Sequence, residues 1–419
     1  MRKAALYIPL FLAVCVCCAC NAQHTRRGAA AQTARKVQTP SEQPAQAAQT
    51  APKESLRGVW IASVSNIDYP SKPALSEKKQ KEDFIKILDE VKALGFNTVV
   101  VQVRPTADTF WPSSLEPCSF YLSGRQGKCP SYDALAFMIE QTHKRGMQFH
   151  AWFNPFRVAQ NPKIKMYPKH PALQNRQWAV KYGNELYYNP ANKQAREHSI
   201  AVITEVVKKY PIDAVHLDDY FYPYPVTKKN KTVPFPDAKE YKAYLSAGGK
   251  LSLGDWRRGN VNTFVGDLSR EIKKINPKMP FGISPFGIWR NKDKDKSGSA
   301  TKAFSSYDSG LYADTRLWIE RGWIDYVVPQ LYWENAHKTA SFKVLLDWWS
   351  KEITRNKNVK LYIGLAAHKH GNPWNKKELQ TQLEQIKKTK NIDGVIFFSA
   401  KPIIENQSGV QKIIRKEFL

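Results

Sequence analysis

The chain has 419 residues, 42% of them hydrophobic, and carries a formal net charge of +27. This length allows one large domain or two smaller ones, and a single α/β barrel of roughly 250 residues or more fits within it. The charge favours an anionic partner such as lipid head groups, a nucleic acid or an acidic polysaccharide, although a solvated basic surface gives the same count. After the first 20 residues, no apolar stretch is long enough to cross a bilayer.

The first 20 residues are predicted to be a secretory signal peptide. Two basic residues precede an apolar stretch that ends in small residues and cysteines, and this stretch is too short and wrongly flanked for a membrane span. Cys20 follows Ala19 and resembles the acylated cysteine of bacterial lipoproteins, although Cys17 and Cys18 are unusual at their positions. We therefore expect export to the cell envelope, with a lipid anchor at Cys20 as the contact with a membrane. Export argues against a nucleic-acid partner.

Residues 21–54 are predicted to be a disordered tether. They consist largely of Ala, Gln, Thr and Pro and hold too few large apolar side chains to bury a core. The folded domain is then expected over residues 55–419.

Short β-branched runs alternate with longer amphipathic runs through this domain. The strands are predicted at residues 56–63, 97–104, 147–155, 212–218, 280–287, 324–333, 360–367 and 392–400. The helices are predicted at residues 77–95, 131–146, 193–210, 261–275, 309–322, 342–353, 376–390 and 408–417.

Eight strands, each followed by a helix, predict parallel βαβ units that close into a (β/α)8 TIM barrel. A doubly wound open sheet is the alternative, but no Gly-rich phosphate loop follows the first strand. Long loops follow the third and fourth strands. They leave the carboxyl ends of the strands, which is the face where barrels build their active sites.

Two cysteines lie in the folded domain and flank a loop-like stretch after the second strand. In an oxidising compartment we expect Cys118 and Cys129 to form a local disulfide, with two free thiols as the alternative. Neither belongs to a CxxC pattern or has a histidine partner that would indicate zinc.

Polar and aromatic residues collect where the predicted strands end. Side chains alternate along a strand, so His216 and Asp218 face the barrel interior while Leu217 packs outward against the helices. Asp219 lies one position beyond the strand and can turn toward the same cleft. The full set of strand-end residues is Arg104, Trp152, Asn154, His216, Asp218, Asp219, Ser284, Trp289, Tyr332, Trp333, Glu334, His368 and Ser399.

The adjacent carboxyls Asp218 and Asp219 admit three interpretations. A helix cap is disfavoured, because Pro223 and Pro225 prevent a helix from starting at residue 220. A metal site, as in metal-dependent sugar deacetylases, lacks a downstream histidine pair, so we expect no metal and no cofactor. Carboxyls among tryptophan and tyrosine suit glycosidic bond cleavage, in which one group protonates the leaving oxygen and another stabilises or attacks the anomeric carbon.

Six motifs in order resemble the glycosyl hydrolase-like 10 family of bacterial envelope proteins. They are "LRGVWIASVSNIDYPSKP", "FNTVVVQVRPTADTFWPSSLEP", "YLSGRQGKCPSYDALAFMIEQTHKRGMQFHAWFNPFR", "AVHLDDYFYP", "FGISPFGIWRN" and "VVPQLYWE". The resemblance implies a (β/α)8 barrel related to retaining glycosidases. It also implies a polysaccharide substrate, since some members are similar to enzymes that cut peptidoglycan glycan strands already stripped of stem peptides.

Carried onto this chain, the resemblance implies catalysis by Asp218 and Asp219. Glu334 is a further candidate acid, although it does not occupy a position expected of a fixed family acid. Together, the strand-end positions, the aromatic residues and the resemblance predict substrate binding by Arg104, Trp152, Asn154, Arg157, His216, Tyr220, Trp289, Tyr332 and Trp333.

Two hydrolytic mechanisms stay open. In substrate-assisted hydrolysis, a 2-acetamido group of the sugar attacks the anomeric carbon, Asp218 orients that group and Asp219 protonates the leaving oxygen. In double displacement, Asp218 is the nucleophile and Glu334 the acid/base. The doublet favours the first. A non-catalytic glycan-binding barrel and a glycosidase for another extracellular polysaccharide remain alternatives, because a barrel alone does not choose a substrate.

Overall fold

The computed structural model describes residues 55–308 and 310–419 of the chain. The predicted signal peptide, the lipidation site at Cys20 and the predicted tether lie outside the described residues. Within the described ranges, no helix combines the length and the apolar character needed to cross a membrane.

The eight predicted strands form one closed parallel barrel, so the predicted fold class is confirmed. Each strand pairs with its sequence neighbours, and β1 closes the barrel against β8. The strands are β1 Leu56–Ile61, β2 Thr98–Arg104, β3 Gln148–Phe153, β4 Ala214–Leu217, β5 Phe281–Ile283, β6 Tyr326–Val327, β7 Lys360–Ala366 and β8 Gly394–Phe398.

One main helix follows each strand. Several begin at a side-chain cap: Ser76 accepts a hydrogen bond from the Lys79 amide before the first, and Asp133 accepts one from the Ala136 amide before the second. The helices are α1 Glu77–Ala93, α2 Ala134–His143, α3 Lys193–Lys209, α4 Leu253–Ile275, α5 Thr315–Glu320, α6 Phe342–Glu352, α7 Glu378–Lys388 and α8 Val410–Phe418. Short helices lie at Phe120–Ser123, Pro171–Gln174, Ala238–Ser246 and Ala400–Ile404.

β5 and β6 are shorter than the sequence predicts. Pro285 follows the first and Pro329 the second, and proline has no amide proton to donate to a ladder. Beyond these prolines the pairing continues only as isolated bridges, such as the one between Phe286 and Gln330. The chain therefore leaves the barrel wall earlier, and the residues after Gln330 lie in a loop.

Side-chain alternation on β4 divides the barrel interior from the outer core as predicted. Val215 and Leu217 pack in the large cluster between the strands and the helices. Ala214 lies in the smaller cluster inside the barrel with Trp60 and Trp152. Leu217 is the last residue of β4, so Asp218 points inward again at the carboxyl end of the barrel.

Two insertions rise from that end of the barrel. The loop after β3 carries a three-stranded antiparallel sheet, formed by Arg157–Ala159, Ala179–Tyr182 and Glu185–Tyr188. The loop after β4 carries the hairpin of Thr227–Lys228 and Lys231–Thr232. Both insertions stand beside β4, where the paired carboxyls begin.

A hydrogen-bonded chain of neutral rings fills the barrel beneath this end. Trp60 donates Nε1–H to His216 Nε2 over 3.3 Å, so the ring proton of His216 lies on Nδ1, 3.1 Å from the Tyr326 hydroxyl. That hydroxyl is 3.2 Å from Nδ1 of His150. Burial lowers the pKa of His150 to about 4 and that of His216 well below its ordinary value. Both rings are therefore neutral near pH 7.

This arrangement predicts that acid destabilises the fold. The unfolded chain binds a proton at each histidine below about pH 6.5, whereas folded His150 stays neutral down to about pH 4, so stability falls as the pH drops through this window. Between pH 7 and pH 5 we expect His150 alone to cost about 2 kcal/mol of unfolding free energy. Urea unfolding across this range checks it. The His150→Gln variant should lose that part of the pH dependence, and an unchanged slope contradicts the assignment.

Candidate active site

A cavity of about 330 Å³ opens at the carboxyl end of the barrel. This volume is within the usual range of small-ligand sites. We call it the central cavity. It brings together six of the residues predicted for catalysis or substrate binding, namely Trp152, Arg157, Asp218, Asp219, Tyr220 and Tyr332, and two further strand-end residues, Ser284 and His368.

Asp218 is buried at this cavity among hydrogen-bond donors. Its carboxylate accepts Nε1–H of Trp152 over 3.1 Å, Nδ2–H of Asn154 over 3.1 Å and the backbone N–H of Tyr220 over 3.2 Å. Burial raises the pKa of Asp218, while the positive charge of Arg157 and these donors act in the opposite direction. The donors leave Asp218 suited to carry negative charge and to hold a fixed orientation.

Asp219 has a different environment although it is the next residue. Burial and the adjacent charge of Asp218 raise the pKa of Asp219 to about 7. The Tyr224 hydroxyl donates a hydrogen bond to its Oδ2. Two carboxyls so arranged titrate as a coupled pair, and Asp219 is the member that holds a proton near neutral pH.

Arg157 places a fixed cation on the cavity wall. Its guanidinium lies 4.2 Å from the centre of the Tyr220 ring, and its Nε is 3.8 Å from Glu185 Oε2. The side chain is 5% exposed, and Nε has no hydrogen-bond partner among the described residues. Asn154 Oδ1 accepts the Arg157 amide over 2.8 Å, so one asparagine positions both Arg157 and Asp218.

Arg104 does not reach the cavity but supports its wall from behind. It is fully buried and forms a bidentate ion pair with Glu116, with Nε–Oε2 at 2.7 Å and Nη2–Oε1 at 2.6 Å. Its remaining nitrogen donates to the backbone carbonyl of Asn154. Burial opposes the charge of Glu116, but Arg104 and His198 hold its pKa at about 2. Arg104 thus positions the loop that orients Asp218.

We expect Arg104→Met to lower the unfolding free energy by roughly 3–5 kcal/mol, because buried Glu116 loses its bidentate guanidinium partner and keeps only His198. Denaturant titration measures this loss. The matched double variant Arg104→Met, Glu116→Gln removes the buried charge as well, so it should recover part of the stability. If the single variant is no less stable than the double variant, the ion pair does not stabilise this loop as inferred.

Other predicted residues lie away from the central cavity. His216 is beneath its floor, where it is 3.0 Å from the Ser284 hydroxyl. Trp289 donates to Asp314 and packs under the Arg316 guanidinium. The lining residues do not include Trp333 or Glu334.

Cys118 and Cys129 form a disulfide with their Cα atoms 5.2 Å apart. It joins the two ends of the loop segment that contains the short helix Phe120–Ser123. Both cysteines belong to the loop after β2, and neither lines the central cavity.

Sequence reasoning did not single out several cavity residues. Tyr224 and Gln330 lie in loops after β4 and β6, where strand periodicity gives no guide to direction. Gln330 lies within the motif "VVPQLYWE" and Tyr224 directly follows the motif "AVHLDDYFYP", and this proximity was the only signal. Trp60 and Gln102 line the cavity from the interiors of β1 and β2.

The matches to known proteins agree with this architecture. Residues 55–382 match the family described as Glycosyl hydrolase-like 10. The chain is 49% identical over 370 residues to "Glycosyl hydrolase YngK" of Bacillus subtilis (strain 168), which covers 85% of this chain and 70% of that protein. It is 36% identical over 373 residues to "Glycosyl hydrolase DigH" of Escherichia coli (strain K12), with 82% and 83% covered.

Among solved structures, the glycoside hydrolase domain of PgaB (BpsB) from Bordetella bronchiseptica superposes with a TM-score of 0.55. The superposition covers 88% of this chain and 99% of that one at 13% identity, and it shows a shared fold. The family match and the two relatives confirm the prediction of a glycoside hydrolase. The chain belongs to the glycosyl hydrolase-like 10 family.

Proposed function

We propose that the protein is an envelope glycoside hydrolase that cleaves peptidoglycan-type glycan strands, chiefly those without stem peptides. Asp218 and Asp219 are its catalytic carboxyls. Membership of the family supports glycosidic bond cleavage. The net charge of +27 supports a strand with free carboxylates, because removal of the stem peptide leaves a carboxylate on each lactyl group.

The observation that carries the proposal is the contrast between two adjacent carboxyls in one cavity. Asp218 accepts hydrogen bonds from three N–H donors, whereas Asp219 has a pKa of about 7 and bonds to Tyr224. Glycosidic cleavage needs one carboxyl that donates a proton and one group that stabilises positive charge at the anomeric carbon. The two environments match these two roles.

In the first step, the acetamide oxygen of the sugar forms a bond to the anomeric carbon and the glycosidic C–O bond breaks. Asp219 gives its proton to the departing oxygen, and Asp218 holds the acetamide N–H and stabilises its developing positive charge. In the second step, water attacks the anomeric carbon and gives a proton to the Asp219 carboxylate. The acetamide is regenerated, and the configuration is retained.

The double-displacement alternative with Glu334 as acid/base draws less support from this arrangement. Glu334 follows β6, its backbone oxygen accepts the amides of His337 and Phe342, and it is absent from the lining of the central cavity. Double displacement then requires Asp219 to act as acid/base and Asp218 to attack the sugar.

The proposed location is the cell envelope, at the outer membrane or the periplasmic face, with acylated Cys20 as the anchor. A folded domain on a tether of the predicted length can move along glycan strands near the membrane. Metabolic labelling with a fatty acid, compared between the parent and Cys20→Ala, tests the anchor.

Product analysis tests the substrate. Mass spectrometry of peptidoglycan incubated with the protein should show cleaved glycan after an amidase has removed the stem peptides, and little cleavage before that treatment. Muramic ends identify hydrolysis, and anhydro-muramic ends identify a lytic transfer. Binding without turnover on either material contradicts the enzymatic proposal.

A further inference from the structure

A second, larger cavity continues from the central cavity on one side. It lies between the sheet inserted after β3 and the hairpin inserted after β4, and its volume is about 910 Å³. Gln160, Tyr220 and Tyr224 line both cavities. We call the second one the lateral cavity. The shared walls make the two cavities parts of one cleft, with Asp218 and Asp219 at its inner end.

The walls of the lateral cavity have the chemistry of a sugar-binding surface. Amide side chains come from Gln160, Asn161 and Asn184, and phenol rings from Tyr187 and Tyr220. Amides pair with hydroxyl groups through donors and acceptors, and aromatic faces cover the apolar sides of sugar rings. A cleft of this kind accommodates sugar units that extend beyond the bond held at the central cavity.

The outer end of the lateral cavity is strongly basic. Lys228 lines it, and Lys229 and Lys231 lie on the same exposed hairpin. On the opposite wall, the exposed Lys163 follows the lining residue Pro162 directly. Among the described residues, none of these four lysines has an ion-pair partner within 4.0 Å.

The acidic side chain on the wall does not neutralise these lysines. Glu185 accepts the hydroxyl of Tyr187 and lies 3.8 Å from Arg157 Nε, at the inner part of the cleft. The positive charge of the hairpin therefore faces the solvent and any ligand that enters. A cation cluster at the mouth of a cleft draws in anionic ligands and holds them by salt-sensitive contacts.

We infer that the lateral cavity binds the continuing part of an anionic glycan strand, and that Lys228, Lys229 and Lys231 bind its sugar carboxylates. The inference rests on the proposed function, since it names the determinant by which that site selects its substrate class. It assigns a role to the hairpin of Thr227–Lys228 and Lys231–Thr232, which the catalytic step itself does not use.

A binding measurement tests this inference separately from catalysis. The Asp219→Asn protein serves as the background, so that strands are not consumed. Its affinity for peptide-free strands is compared with that of the same protein carrying Lys228→Gln, Lys229→Gln and Lys231→Gln. We expect the triple substitution to raise Kd about tenfold at low salt and to flatten the salt dependence, because three exposed charge contacts are lost.

The matched control removes the same charge from the opposite end of the barrel. Lys278, Lys357 and Lys390 are exposed and lie in the loops that precede β5, β7 and β8. Their replacement by glutamine should leave Kd within about twofold of the background, because they lie beyond the screening distance of the cleft. Thermal unfolding of each variant verifies the fold.

A second binding test uses glycan strands whose carboxylates have been neutralised. When the lactyl carboxylates are converted to methylamides, the background protein should bind about as weakly as the hairpin variant, and the two should no longer differ. Equal affinity of the hairpin variant and the background for native strands overturns the inference, as does a loss that persists on neutralised strands. Cleavage by the parent is scored separately: hairpin-dependent binding without cleavage contradicts the proposed hydrolysis and leaves the binding assignment standing.

Discussion

Asp219→Asn is expected to lower kcat on peptide-free glycan strands by about 10²–10⁴-fold, the usual contribution of a positioned general acid. Asparagine keeps the size of the side chain but cannot donate the proton that the leaving sugar needs. Burial and, second, repulsion from Asp218 raise the pKa of Asp219 to about 7, and the neutral asparagine avoids both costs. The unfolding free energy of the variant should therefore be equal to or above that of the parent, so lost activity does not reflect lost fold.

The leaving group provides the control for this prediction. An aryl glycoside with a strongly acidic phenol needs little protonation as it departs, so the same variant should lose far less activity on it. Equal losses on both substrates contradict the role of Asp219 as acid. A loss of less than about tenfold on glycan strands contradicts it as well.

The pH profile gives an independent readout. Asp219 must be protonated to act, and its pKa of about 7 predicts that kcat/KM falls as the pH rises above that value. Asp218 must be ionised, so activity also falls in acid. The acid and alkaline limbs of the profile give two apparent pKa values, which belong to the coupled pair of carboxyls. The alkaline limb should be absent from the residual activity of Asp219→Asn.

The barrel could be predicted from the sequence because its signal repeats. Each strand is a short β-branched run and each helix a longer amphipathic one, so eight repetitions reinforce one interpretation. The alternation on β4 also placed Leu217 outward and His216 inward, as observed. Within a regular strand or helix, the local sequence pattern was sufficient to predict which way a side chain points.

The site was harder to predict, because no periodic pattern in the sequence shows how far along the barrel axis a side chain lies. His216 and Asp218 point the same way, yet one lies beneath the cavity floor and the other at its wall. Trp333 and Glu334 follow a strand that Pro329 ends early, and neither is among the residues that line the central cavity. Tyr224 lies between Pro223 and Pro225 in an irregular segment, and the sequence does not show that its side chain reaches Asp219.

The framework behind the site also depends on contacts remote in sequence. Arg104 looked like a cleft residue because it ends β2, but it is paired with Glu116 twelve positions later and bonds to the Asn154 carbonyl. A buried arginine that satisfies a buried glutamate cannot also face the substrate. Whether Arg104 pairs with Glu116 or faces the substrate depends on the path of the loop after β2, which the sequence does not show.

Asp218→Asn is the second substitution with a large expected effect, a fall in kcat on the order of 10²–10³-fold, as for the loss of a preorganised electrostatic contact. The carboxylate is surrounded by Trp152, Asn154 and the Tyr220 amide, so the asparagine keeps the packing but loses the negative charge. This charge stabilises the positive acetamide in the substrate-assisted route.

Two probes separate assistance by the substrate from attack by Asp218. A cyclic thiazoline analogue of the acetamide-closed intermediate should bind the parent far more tightly than substrate does, because enzymes bind such analogues preferentially. Asp218→Asn should lose most of that affinity.

A 2-deoxy-2-fluoro glycoside has no acetamide, so it should leave the parent unlabelled. A stable sugar adduct on the peptide that contains Asp218 would instead make this residue the nucleophile of a double displacement. Asp219 would then remain the acid/base, since its proton is required in both routes.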